Sequence, residues 1–162
     1  GEGADRTIGK GDYELSEVEY NNIKLIAKNF DKCVVLLNVG GVVDTKFFSE
    51  IEGVDGLVLM SQAGMTGGDA LVEVLNGTVN PSGKLTDTWP VNFDDNPSSA
   101  GFANEDGNNA QELYNDDIFV GYRYYDTFGK DVSSCKFFHR IPLAVLVLVE
   151  NVHPQAVLLR SV

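Results

Sequence analysis

The spacing of hydrophobic positions changes several times along the chain, and each change predicts an element. In ELSEVEYNNIKLIAKNF the apolar residues Ile23, Ile26, Ala27 and Phe30 recur at helical intervals, which predicts a helix with one buried face. Its start is marked: Ser16 followed by Glu19 makes a capping box, with Leu15 and Tyr20 placed to staple the first turn. CVVLLNVGG is a continuous valine-rich run, the pattern of a strand buried on both faces in a parallel sheet. Asp44 stands where it would cap a short helix in TKFFSEIE, and VDGLVLMS reads as a second buried strand. QAGMTGGDALVEVLNG predicts a glycine-rich turn and a third helix with Leu71, Val74 and Leu75 inward and Gly77 ending it. NPSGKLTDTWP predicts a turn and a further short strand that stops at Pro90.

Helix and strand alternating at these lengths predict right-handed βαβ units, hence an α/β fold built on a partial doubly wound, mostly parallel sheet. The pattern opens on a helix and shows few strands, so the expectation is that the first half of such a domain lies outside these residues. Residues 91–117 then lose nearly all aliphatic side chains and read as a long acidic surface loop, of the length that is usually functional or mobile. Its Asp94, Asp95, Asp106 and Asn108 do not follow the spacing of a calcium loop, and a solvated acidic loop is the expectation, with no metal. In DDIFVGYRYYDTFG, Ile118, Val120, Tyr122 and Tyr124 alternate with Phe119, Gly121, Arg123 and Tyr125, a period of two that predicts a strand. Arg123 among these aromatics reads as a stacked structural cation in preference to a ligand clamp.

The last stretch differs in composition from everything before it. Residues 133–162 contain no Gly and no Asp, and Lys136, Arg140 and Arg160 against Glu150 give 3 − 1 = +2. The whole chain carries −12, so the part before the switch carries −12 − 2 = −14. The expectation is a domain over residues 1–131 and an atypical tail over 132–162, out of frame or disordered. For the whole, 162 residues with 43% hydrophobic and 22% charged content describe one ordinary globular domain with a real core. The net acidity argues against nucleic acid and anionic membranes as partners. Cys33 and Cys135 form no framework of spaced pairs. PLAVLVLV, residues 142–149, is too short to span a bilayer, and the N-terminus lacks the basic-then-apolar pattern of a signal peptide.

The chain begins GEGADRT, with Glu2 between two glycines and Asp5 and Arg6 just behind. Glycine on both sides lets the backbone turn sharply and another molecule come close. A carboxylate presented in this way suits acid/base chemistry; it also suits an exposed charge at a frayed end.

Taken together, GEGADR (1–6), LLNVGGVVD (36–44), the run over residues 64–77 leading to NPSGKLTDTWP (80–90), and IFVGYRYYDTFG (118–129) resemble the C-terminal α/β sandwich domain of glycoside hydrolase family 3, the β-glucosidase family, in a truncated form. The resemblance covers about residues 1–131. It implies a retaining, exo-acting hydrolase of β-linked glucosides or oligosaccharides, working by double displacement without a cofactor. It also implies an active site between two domains. A (β/α)₈-type domain supplies an aspartate nucleophile in a Ser-Asp-Trp context, and the α/β domain supplies the acid/base and part of the sugar pocket. No Ser-Asp-Trp occurs in this chain, whose one tryptophan, Trp89, sits in TDTWP. The motif glutamate of the family corresponds to Glu2, which makes Glu2 the general acid/base candidate, with Asp5 and Arg6 as an ion pair bracing its loop. The expectation for the isolated chain is little or no turnover.

Two departures stand beside the resemblance. A free α-amino group next to Glu2 would lower its pKa and oppose acid catalysis. After FGKDV the family continues with a P-F-G-x-G-L-S-Y-like stretch, where this chain reads SSCKFFHRIPLAVLVLV. Two other function classes are open: a non-catalytic sugar-binding or interaction fragment, and a nucleotide-binding α/β domain. The latter would use Gly40 and Gly41 after a strand and the glycines of residues 64–68 before a helix.

Overall fold

The computed structural model describes residues 7–83, 85–104, 110–111, 113–132 and 157–161. In chain order the elements are α1 (Glu17–Asn29), β1 (Val34–Asn38), α2 (Phe47–Glu50), β2 (Gly56–Leu59), α3 (Gly67–Leu75), 3₁₀ turns at Phe93–Asp95 and Ser99–Asn104, α4 (Tyr122–Phe128) and β3 (Val157–Ser161). The three strands form one sheet in the order β2-β1-β3, and both pairings are parallel. The mostly parallel sheet expected from the valine-rich runs is therefore present.

Each element follows from a local cause. The predicted capping box of α1 is made: the Glu19 backbone N–H donates to Ser16 Oγ at 3.3 Å, and the Ser16 N–H donates to Glu19 Oε2 at 2.8 Å. Two of the orphan donors at the helix start are thereby satisfied. α1 buries Ile23 and Ala27, with Leu15 and Tyr20 in the same cluster, whereas Phe30 lies at the C-cap and is exposed. β1 is apolar on both sides. Val35 and Leu37 join Cys33, Ile23, Ala27, Phe47 and Leu57 on one face; Val34, Leu36 and Val58 meet Leu71 and Leu75 of α3 on the other. The amino ends of the strands are tied by Asp55, which accepts the Cys33 N–H at 2.9 Å and pairs with Lys32 at 3.2 Å. Gly53 lets the chain pass α1 closely: its φ is +91°, and a Cβ there would sit 3.0 Å from the Ala27 carbonyl oxygen. α3 ends where predicted, with the Gly77 N–H on the Val74 carbonyl at 3.1 Å.

Three expectations are corrected. Residues 118–125 do not form a strand; the ordered part is α4, Tyr122–Phe128. The aromatics fit a helix as well as they fit alternation. Tyr124 and Phe128, four apart, stack at 4.9 Å, and Gly129 closes the helix in the left-handed conformation, φ +62° and ψ 34°. With no strand beside it to pair with, the segment satisfies its backbone internally. The stretch at 80–90 also forms no strand. Its prolines withhold backbone donors, and Leu85 and Trp89 pack on the core instead, leaving one isolated antiparallel bridge, Pro90 to Val132. At α2 the N-cap position is Lys46, which makes no side-chain cap; the carboxyl of Asp44 takes the Lys46 backbone N–H from two residues upstream.

The acidic loop is tied down more than its composition suggests. Lys130 Nζ reaches Asp95 Oδ1 at 3.0 Å, the Tyr125 hydroxyl donates to Asn96 Oδ1 at 2.7 Å, and Ser98 Oγ donates to Asp116 Oδ2 at 3.2 Å. Burial, reinforced by Asp95, pushes the Tyr125 hydroxyl up to about 12.

Phe47 is fully buried where α2 meets the sheet, so Phe47→Ala is expected to lower stability by about 3–5 kcal/mol. Ser16→Ala is expected to cost about 1 kcal/mol through the lost cap. Urea unfolding of both variants measures the two losses and their ratio.

Candidate functional site

Glu2 and its bracing pair Asp5 and Arg6 lie outside the described residues, as do Asp106 and Asn108. The segment that follows the motif is well defined. The Thr7 N–H and Oγ1 both donate to Asp12 Oδ2, at 2.7 and 3.2 Å, and the Thr7 carbonyl accepts the Tyr13 N–H at 3.3 Å. This compact turn is fastened to the sheet by one backbone bond: the Asp44 N–H donates to the Tyr13 carbonyl at 2.9 Å. Asp44 closes the segment that leaves the carboxyl end of β1. The chain just after GEGADR is thus held beyond that end of the central strand, the side on which open α/β sheets place their ligand crevices.

Tyr13 is the anchor of this arrangement. Its ring is buried and meets Phe93 edge-on at 5.2 Å, and Phe93 meets Phe102 at 5.6 Å. The ladder of rings joins the turn after the glycine-flanked motif to the acidic loop. The Tyr13 hydroxyl is buried without a hydrogen-bond partner, and burial, with Asp44 nearby, pushes it far above the ordinary tyrosine range.

Between this turn and the starts of α1 and α2 lies a cleft of about 370 Å³, within the size range of small-molecule sites. Lys10, Glu14, Asp44, Lys46 and Glu50 line it with the ring of Tyr20. The Tyr20 hydroxyl approaches Glu50 Oε2 at 3.5 Å. Asp44 is half-buried, and burial raises its carboxyl above the usual range; Glu14 and Glu50 add to the rise, while the charge and backbone N–H of Lys46 oppose it. Such a wall offers carboxylates and lysines to hydroxyl-bearing ligands. The sequence reading missed Tyr13 altogether and saw Asp44 only as a cap; the signal was polar residues on both sides of the first helix start.

The other singled-out residues have structural settings. Arg123 lies 5.9 Å from the Tyr122 ring centroid and donates to the Ile118 carbonyl at 3.4 Å, the stacked cation favoured above. Gly40 faces the side chain of Gln62, and Gly67 is crowded by Ala63 and Met60, so both glycines serve close packing. Trp89 is buried in the core beside Leu37, Leu57, Leu59 and Leu85, away from the cleft. Among the described residues, no group of three or more His, Cys, Asp or Glu side chains is arranged to hold a metal.

Two predictions follow from the turn and the cleft. The raised Asp44 carboxyl favours folding while protonated, and that contribution is lost as pH rises through its folded-state pKa. Asp44→Asn keeps an acceptor for the Lys46 N–H and removes the charge. The variant is therefore expected to melt higher than the parent at pH 7, with the gain fading below about pH 4, near the unfolded-state value. Thermal melts across this range check it; a gain equal at every pH would contradict the burial effect. Tyr13→Phe is expected to leave stability unchanged or raise it, since the hydroxyl it removes is unpaired, whereas Tyr13→Ala loses the ring ladder and about 3–5 kcal/mol, both read by urea unfolding.

A family model described as the glycosyl hydrolase family 3 C-terminal domain matches residues 1–122. The Ruminococcus albus beta-glucosidase is 43% identical over 131 residues, covering 81% of this chain and 13% of that protein. Beta-glucosidase A of Butyrivibrio fibrisolvens is 40% identical over 126 residues, covering 78% and 15%. Among solved structures, that of beta-glucosidase 3B from Thermotoga neapolitana in complex with glucose aligns with a TM-score of 0.73 at 41% identity, covering 81% of this chain and 19% of that one. The chain thus spans less than a fifth of the length of each of these proteins.

Proposed function

The chain belongs to glycosyl hydrolase family 3, as part of the family's C-terminal α/β domain, and from that premise we propose that it carries the general acid/base of a retaining β-glucosidase, Glu2. The observation that carries this reading is the tie from Tyr13 to Asp44, which holds the turn after GEGADR beyond the carboxyl end of β1. A loop leaving from there, hinged on glycines at both sides of Glu2, has the freedom to bring a carboxyl over a neighbouring sugar pocket.

Retention of configuration needs two carboxyl groups about 5–5.5 Å apart. In this proposal the nucleophile is an aspartate of a (β/α)₈-type domain, since the chain holds no Ser-Asp-Trp. That aspartate attacks the anomeric carbon while Glu2 gives its proton to the departing glycosidic oxygen. Glu2, now a carboxylate, then takes a proton from water, and the resulting attack releases the sugar from the aspartate. Burial beside an anionic nucleophile raises the pKa of Glu2 as the first step requires. Asp5 and Arg6 brace the loop, and the substrates are β-glucosides or oligosaccharides ending in β-linked glucose.

The test uses two settings. The chain by itself is expected to show no turnover of an aryl β-glucoside above background. Grafted into the Ruminococcus albus enzyme in place of the aligned segment, it is expected to support hydrolysis. There Glu2→Gln should lower kcat about 10²–10⁴-fold on a glucoside with a poor leaving group, and much less on one whose leaving group needs no proton. Turnover by the isolated chain that Glu2→Ala abolishes would place both carboxyls on this polypeptide and sink the proposal.

A further inference from the structure

The edge of β1 that β3 occupies has a second claimant. β1 divides its backbone polar groups between two neighbours. The Cys33 carbonyl accepts from Gly56 at 3.2 Å and the Leu37 carbonyl from Met60 at 2.9 Å, so the odd-numbered residues face β2. Backbone groups alternate sides along a strand, so Val34, Leu36 and Asn38 point theirs at the other edge. Their partners in register are Val157, Leu159 and Ser161 of β3. Left unpaired between two apolar faces, these groups would be costly, so this edge requires a strand.

The path of the chain into α1 says what strand fits. Residues 7–13 are fastened beyond the carboxyl end of β1 through the Tyr13–Asp44 bond, and α1 then runs back to deliver the chain to the amino end of β1. A strand that fed this turn directly would end at the same side as β1 does, and would therefore run parallel to it. Parallel strands joined through a helix are usually neighbours in the sheet. The β2 edge is taken by the strand that follows β1, which leaves the edge now held by β3. The aligned relatives have ample polypeptide to supply such a strand, since this chain accounts for 13–19% of their length.

We propose that the edge of β1 opposite β2 is an acceptor slot for a parallel apolar strand lying N-terminal to residue 1 in the full polypeptide, and that Val157–Ser161 holds this slot in the present chain. The two strands are alternatives for one set of hydrogen bonds. A strand in the slot that ends at residue 1 hands GEGADR over at the carboxyl ends of the sheet. That consequence rests on the reading of Glu2 given above; the exchange of strands does not.

The probe is the segment immediately upstream of the aligned region in the Ruminococcus albus enzyme, fused ahead of Gly1, with amide hydrogen exchange as the readout. In the extended chain, residues 157–161 are expected to lose protection by at least about tenfold while Leu36 and Asn38 keep theirs. Protection of 157–161 that survives the extension overturns the proposal. In the unextended chain, Leu159→Pro removes β3 from the ladder. Leu36 and Asn38 should then exchange at least about tenfold faster, with Val35 and Leu37 unchanged as the β2-facing control, and the extension should restore them. Unchanged exchange at Leu36 and Asn38 in Leu159→Pro also overturns it. If Leu159→Pro does not fold, folding of its extended form supports the slot, and failure of both forms refutes it.

Discussion

A strand with no polar face has to be covered on four sides, and β1 is that strand. Val34 through Leu37 are all buried, so helices must lie on both faces of the sheet and strands along both edges. α1 and Phe47 meet one face, α3 meets the other, β2 takes one edge and β3 the second. Parallel pairing follows, because each neighbour reaches its place through a helix or a long excursion and not through a tight hairpin. What is left uncovered is the carboxyl end of the strand, where the chain must leave the sheet through Val39, Gly40 and the residues up to Asp44.

The polar chemistry collects at that end. One backbone bond, Asp44 to Tyr13, brings the segment after the glycine-flanked glutamate to the place where β1 stops. The cost of the arrangement is visible in two side chains: a tyrosine hydroxyl buried without a partner, and a carboxyl partly withdrawn from water among others of its own sign. Both are tolerated because the apolar ring of Tyr13 and the backbone acceptor role of Asp44 hold the turn in position.

Dividing a two-carboxyl mechanism between domains suits this architecture. A sheet edge is rigid and gives a loop a fixed origin; a glycine-flanked loop is adjustable and lets one carboxyl meet another carried by a separate body. The aromatic ladder from Tyr13 to Phe102 extends the fixed origin sideways, so that the acidic loop, Lys130 and α4 move with it. The family match and the solved β-glucosidase with bound glucose agree with a domain of this kind.

Read alone, the sequence determined the parts whose pattern has one physical solution. Ser16 with Glu19 can only cap, an unbroken valine-rich run at 34–37 can only be a two-sided strand, and Leu71 with Leu75 can only face inward. The glycines around Glu2 and the four family motifs likewise pointed to the chemistry before any coordinates. The aromatic stretch at 118–129 was not decided in this way, because alternation and helical spacing both accommodate it; the absence of a pairing strand and the left-handed Gly129 made it a helix. Trp89 became core and Asp44 became a cleft wall through contacts with residues distant in the chain, to which no local pattern refers. Which strand lies at each edge of β1 was also a tertiary decision, since an apolar strand shows that it needs partners and carries nothing that names them.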